Sequence, residues 1–173
     1  MKLYIFKMNE IKPDTRLLTP SAQEHCKKPQ SIAAACALTE LGAVNLHYSE
    51  NGKPLADNGF VSISHSGDMV AVALSSLPVG VDIEKLGVRF DFNRLASRFF
   101  ADGELQYFLE SPTEYRFLEI WTKKEAYSKI TGRGTAEIFG GFDCFKLKNV
   151  SFETDIIDGT VVTVCQQLKH KTE

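Results

Sequence analysis

Apolar residues along this chain fall into short alternating runs and longer helical stripes, and the chain passes from one pattern to the other twice. Residues 2–8, KLYIFKM, alternate well enough to predict a first strand. After a polar stretch, SIAAACALTELG (31–42) predicts a helix, with Ser31 near its start and Gly42 as its stop. The segment NLHYSENGKPLADNGF (45–60) is rich in Asn, Gly and Pro and reads as a loop carrying a short edge strand. FVSISHSGDMVAVALSS (60–76) predicts two strands about a turn at Ser66-Gly67-Asp68, and Pro78 separates them from a third strand, VGVDIEKL (79–86).

The same order then repeats with more helix. FDFNRLASRFFADGELQYFLE (90–110) predicts two helices broken near Asp102-Gly103. A further helix is expected to start at Ser111-Pro112-Thr113-Glu114, with Ser111 as its cap, and to run to Thr131, where Gly-Arg-Gly ends it. GFDCFKLKNVSFETDIIDGTVVTVCQQL (141–168) predicts antiparallel strands with a hairpin turn at Asp158-Gly159. Helix, sheet, helices and sheet in that order point to an α+β fold, with two lobes meeting near residues 78–82.

Composition narrows the class. With 173 residues, 43% of them hydrophobic, the chain can bury a substantial core. A net charge of -2 from 20 basic and 22 acidic residues lacks the excess expected of a nucleic-acid binder. Cys26, Cys36, Cys144 and Cys165 form no C-x-x-C pair, which argues against a metal knuckle and fits a reducing compartment. The first residues show neither a signal peptide nor a membrane anchor, so a soluble cytoplasmic protein is expected.

Asp82 and Glu84 lie two apart on a strand and share one face, while Val81 and Ile83 share the other. Two such carboxylates repel each other unless a cation, a proton or a basic side chain neutralises them. A D-x-E on a strand suits Mg²⁺, which takes a few carboxylates and accepts phosphate oxygens; taken alone, it is more often a charged device guarding a sheet edge. In FLEIWTKKEAYSKITGRG (117–134), Phe117, Ile120, Trp121, Tyr127 and Ile130 make an apolar stripe, and Lys124 falls inside it. Glu125 and Lys129 flank the stripe at i, i+4 spacing, which reads either as an ordinary ion pair or as part of a metal and diphosphate site. Lys53, Ser64 and His65, on loops and a strand end, are suitable phosphate ligands.

Four blocks in order, GKP (52–54), ISHSGD (63–68), GVDIEKL (80–86) and FLEIWTKKEAYSKITGRG (117–134), resemble the 4′-phosphopantetheinyl transferases. The likeness is to the larger single-chain kind typified by the surfactin-synthetase-activating enzyme. FFADGE (99–104) is similar to the family's F-F-x-x-x-E segment. The resemblance implies an α+β pseudo-dimer of two similar lobes, here residues 1–79 and 80–173, each a small antiparallel sheet packed with helices and binding coenzyme A between them. It implies Mg²⁺-dependent transfer of the 4′-phosphopantetheine arm to a serine of an apo acyl, polyketide or peptidyl carrier protein, releasing adenosine 3′,5′-bisphosphate. Carried over by motif, Asp82, Glu84 and Glu125 would hold Mg²⁺, and Lys124 and Lys129 would face the diphosphate. Lys53, Ser64 and His65 would hold the phosphates or the adenosine end, and Glu104 and Glu125 are rival candidates for the proton acceptor. The chain is shorter than typical members, and the basic residues those members carry near the N-terminus have no clear counterpart; Lys27 and Lys28, before the first helix, are candidates for the role. A monomer is expected, with a non-catalytic relative or an unrelated phosphohydrolase as competing readings.

Overall fold

A computed structural model describes residues 1–134, 137–138 and 141–169. Two three-stranded antiparallel sheets organise the chain. The first contains β1 (Lys2–Lys7), β4 (Phe60–Ser66) and β5 (Met69–Ser75) in the order β1-β5-β4, and the second contains β6 (Val79–Lys85), β7 (Val150–Ile157) and β8 (Thr160–Gln167) in the order β6-β8-β7. Each sheet is built the same way: an opening edge strand, then helices, then a hairpin whose last strand inserts at the centre. A small ribbon of β2 (His47–Tyr48) and β3 (Pro54–Leu55) lies beside the first sheet.

The expected turns are present. Gly67 takes φ +59° in the β4–β5 hairpin, and Asp158 and Gly159 both take positive φ in the β7–β8 turn, the left-handed pair that a tight hairpin needs. Helix boundaries differ from expectation. α1 (Pro20–His25), within the polar stretch that follows β1, is a short helix capped by the Thr19 hydroxyl. α2 (Pro29–Glu40) starts two residues before Ser31, whose hydroxyl accepts the N–H of Lys28 at the cap position. α3 (Phe92–Phe99) and α4 (Asp102–Glu110) break at Phe100-Ala101, because the Glu104 carboxylate turns back to accept the Ala101 N–H. α5 (Glu114–Thr131) is capped by Thr113 rather than Ser111: the Thr113 hydroxyl accepts the Arg116 N–H, while Ser111 closes α4.

Among the described residues, four apolar clusters hold the fold, and the three largest position the site. α2 buries Ala33 to Leu38 against Phe6, Val70 and Val72 of the first sheet. Met69, Ala71 and Ala73 pack on Val81, Ile83, Val162 and Val164, joining the two sheets. Phe100, Phe108 and Phe117 lead an aromatic cluster under α3, α4 and α5. One glycine sets the spacing between the last two layers. A Cβ on Gly80 would lie 1.9 Å from the Ala126 carbonyl oxygen, so only glycine lets β6 and α5 approach this closely.

Candidate active site

The close approach at Gly80 brings the face of β6 that carries Asp82 up to α5. Val81 and Ile83 point into the core between the sheets, and Asp82 and Glu84 point the other way, as strand periodicity requires. From α5, Lys129 does not close an i, i+4 pair with Glu125. Its ammonium instead donates to Asp82 Oδ1 at 2.8 Å and to the Val81 carbonyl at 2.8 Å. Ser64 donates to the same Oδ1 at 2.8 Å, and Ser66 donates to Glu84 Oε2 at 3.0 Å.

Electrostatics tie the three carboxylates together. Burial, then the charge of Asp82, pushes Glu125 up to about 7, with Lys129 opposing and Glu84 adding to the rise. Glu84 is raised by the same causes in the same order, with Ser66 and Lys129 opposing. The site therefore holds more negative charge than its one lysine neutralises. Asp82 Oδ2 is buried and has no hydrogen-bond partner among the described residues, although Oδ1 has two. Among the described residues no three Asp, Glu, His or Cys side chains stand together as a ready-made cation cage. The donor chemistry nevertheless fits a hard divalent cation: oxygen ligands only, mutual repulsion, and one orphaned carboxylate oxygen.

Beside these carboxylates runs an open hollow of about 320 Å³, lined by Gly52, Lys53, Ile63, Glu125 and Lys129. It adjoins a second hollow lined by His25, Ser31, Tyr48, Ser64, His65 and Lys129. The structure thus puts Lys53, Ser64, His65 and Lys129 along one surface. Lys53 donates to the Ile130 carbonyl at 3.1 Å, where a cation is favoured at the end of α5, and burial lowers its pKa. Ser64 is buried, with its hydroxyl already committed to β6, whereas His65 is exposed. Lys27 and Lys28 are exposed just before and at the cap of α2, whose Ser31 reaches the second hollow.

Lys124 and Glu104 are placed elsewhere. Both side chains are 0% exposed and bonded to each other, with Lys124 Nζ 2.8 Å from Glu104 Oε2. Lys124 also donates to the Phe142 carbonyl and lies over the Phe142 ring. Glu104 accepts the N–H groups of Ala101 and Cys144 as well. In this arrangement neither side chain presents an atom to a ligand, which differs from the diphosphate and proton-transfer roles that the motifs suggested. Sequence reasoning also passed over Gly80 and the paired roles of Ser62, Ser64 and Ser66. Their signals were a glycine just before D-x-E and three serines at period two.

Comparison with known proteins agrees with the motifs. Residues 78–170, more than half of the chain, match the model of the 4′-phosphopantetheinyl transferase superfamily. The 4′-phosphopantetheinyl transferase psf-1 of Bacillus pumilus is 40% identical over 90 residues, covering 49% of this chain and 38% of that protein. The 4′-phosphopantetheinyl transferase HetI of Nostoc sp. is 34% identical over 119 residues, covering 63% of this chain and 50% of that protein. The gsp transferase of Aneurinibacillus migulanus is 39% identical over 90 residues, or 50% and 37% of the two chains. The chain therefore spans half or less of the length of these relatives. The matched region runs from β6 through β8 and includes every acidic residue of the site, so the chain belongs to the 4′-phosphopantetheinyl transferase superfamily.

Proposed function

We propose that this protein transfers the 4′-phosphopantetheine arm of coenzyme A to a serine of an apo acyl, polyketide or peptidyl carrier protein, releasing adenosine 3′,5′-bisphosphate. The observation that carries the reading is the electrostatic coupling of Asp82, Glu84 and Glu125, with Lys129 bonded to Asp82 and lining an open hollow beside Glu125, in a chain of this superfamily. Asp82, Glu84 and Glu125 would hold Mg²⁺. When bound there, the ion would neutralise charge developing on a diphosphate and fix the direction of attack.

The chain's own groups do the rest. Lys129, on the rim of both hollows, supplies positive charge to the diphosphate. His65 and Lys53 line the same surface and suit the phosphate or adenosine end, with Lys27 and Lys28 adding charge near the start of α2. Of the two rival proton acceptors, Glu125 has a carboxylate open to the hollow whereas Glu104 is sealed, which favours Glu125 for accepting the proton of the attacking serine. Glu104 and Lys124 enter as the support beneath α5, since both are sealed.

The shared strand order of the two sheets supports reading them as related lobes of a pseudo-dimer, residues 1–79 and 80–173. Both lobes come from one chain, so we expect a monomer. All four cysteines are free and buried, which suits the reducing cytoplasm, and no described helix is long and apolar enough to cross a membrane.

Incubation with coenzyme A, Mg²⁺ and an apo carrier protein tests the reading by intact mass. A carrier heavier by one phosphopantetheine arm supports it. Hydrolysed coenzyme A with an unmodified carrier would make the protein a phosphohydrolase, and binding without a mass change would make it a non-catalytic relative. In the same assay Asp82→Ala is expected to be nearly inactive; near-normal turnover at saturating Mg²⁺ would remove the metal assignment.

A further inference from the structure

Serines 62, 64 and 66 stand at period two on β4, so their hydroxyls share the face turned toward β6. Among the described residues, β6 pairs with β8 along one edge only. Along its other edge the backbone N–H groups of Val81, Ile83 and Lys85 have no strand to meet. The serine hydroxyls take their place: Ser62 Oγ accepts from Val81 at 3.0 Å, Ser64 Oγ from Ile83 at 3.3 Å and Ser66 Oγ from Lys85 at 3.1 Å. A side-chain ladder thus joins the two sheets where a backbone ladder is missing, and it satisfies donors that are costly to leave bare.

A hydroxyl has one proton to give. With the backbone N–H occupying an acceptor site on each oxygen, Ser64 is left to donate to Asp82 Oδ1 and Ser66 to Glu84 Oε2. Ser62 has no carboxylate to meet. Ser64 and Lys129 together saturate Oδ1 of Asp82 and leave Oδ2 without a partner among the described residues. We infer that Ser64 and Ser66 are positioning residues that orient the two β6 carboxylates toward a divalent cation, so that the seam between the sheets and the cation site are one hydrogen-bonded structure. The inference rests on the assignment of Asp82 and Glu84 as cation ligands made above.

Ser62 supplies the control, because it is a buried rung of the ladder without a carboxylate. The experiment compares the full chain with Ser62→Ala, Ser64→Ala, Ser66→Ala and Ser64→Thr, measuring the melting temperature without cation and Mn²⁺ binding by calorimetry. Ser62→Ala and Ser64→Ala should each melt about 2–8 °C lower, since each leaves a buried N–H without an acceptor. Only Ser64→Ala and Ser66→Ala should weaken Mn²⁺ binding, by about 10–100-fold, the usual effect of removing a group that orients a metal ligand. Ser64→Thr keeps the hydroxyl and should restore most of that affinity. If Ser64→Ala and Ser66→Ala bind Mn²⁺ as tightly as Ser62→Ala, the positioning role is wrong while the cation site stands. If the wild-type chain binds no Mn²⁺, the cation assignment itself fails and this inference fails with it.

Discussion

Helix α5 sends two lysines, Lys124 and Lys129, to two carboxylates, and their surroundings separate their uses. Lys124 and Glu104 are both 0% exposed, and every strong acceptor near them is filled by backbone N–H groups or by the lysine itself. Lys129 and Asp82 are 28% and 8% exposed, Ser64 donates to the same Asp82 oxygen, and Lys129 lines an open hollow together with Glu125. A closed pair ties α4, α5 and the short 3-10 turn at Cys144–Lys146 together. An open pair leaves charge available for something else. Within one motif, W-T-K-K-E-A-Y-S-K, chemistry is assigned by burial rather than by residue type.

The open pair depends on α5 lying close to β6, so the strongest way to break the comparison is to separate those elements. Gly80→Ala would drive a methyl group into the Ala126 carbonyl, and we expect no cooperatively folding protein, as judged by circular dichroism and thermal melting. Next in size is Lys124→Met, which leaves the Glu104 carboxylate buried without its partner. It should cost about 3–5 kcal/mol in denaturant unfolding, the range for a broken buried pair. Lys129→Met should cost markedly less stability than Lys124→Met, because its site is part-open to water. For the same reason, added salt should lower wild-type stability through the Lys129 pair and barely through the Lys124 pair.

The smallest effect is one of pH. The folded pKa of Glu125, about 7, lies above its ordinary value of 4.5. The folded state therefore prefers the protonated form: this group's contribution to stability is fully present below about pH 4.5 and is lost as pH rises through about 7. Glu84 shifts in the same direction and adds to the trend. A divalent cation offsets the repulsion, so Mg²⁺ should raise the melting temperature more at pH 8 than at pH 5.5. An equal rise at both would show that the cation does not bind these carboxylates.

How much of this was legible in the sequence depends on the range of the interaction. Strand periodicity correctly put Asp82 and Glu84 on one face, and the turn residues at Gly67 and Asp158-Gly159 lie where expected. The helix carrying Glu125 and Lys129 was evident from its apolar stripe, although Pro112 drew its start two residues too early. The pairings were not legible. Nothing in spacing tells Lys129 to reach past Glu125 to Asp82, or places Glu104 beneath Lys124, because both are decided by the packing of elements far apart in the chain. An ammonium inside an apolar stripe was itself a clue that Lys124 needed a buried partner.

Carrier loading by Lys124→Met and Lys129→Met, measured side by side, tests the central claim most directly. Each variant is assayed with coenzyme A, Mg²⁺ and apo carrier at a temperature where circular dichroism shows it folded, and turnover is expressed per folded molecule. The account predicts that Lys124→Met keeps most of its turnover while Lys129→Met loses about 10²–10³-fold, the scale of a removed electrostatic contact to the reacting group. The opposite order, with Lys129→Met active and folded Lys124→Met inactive, would contradict it.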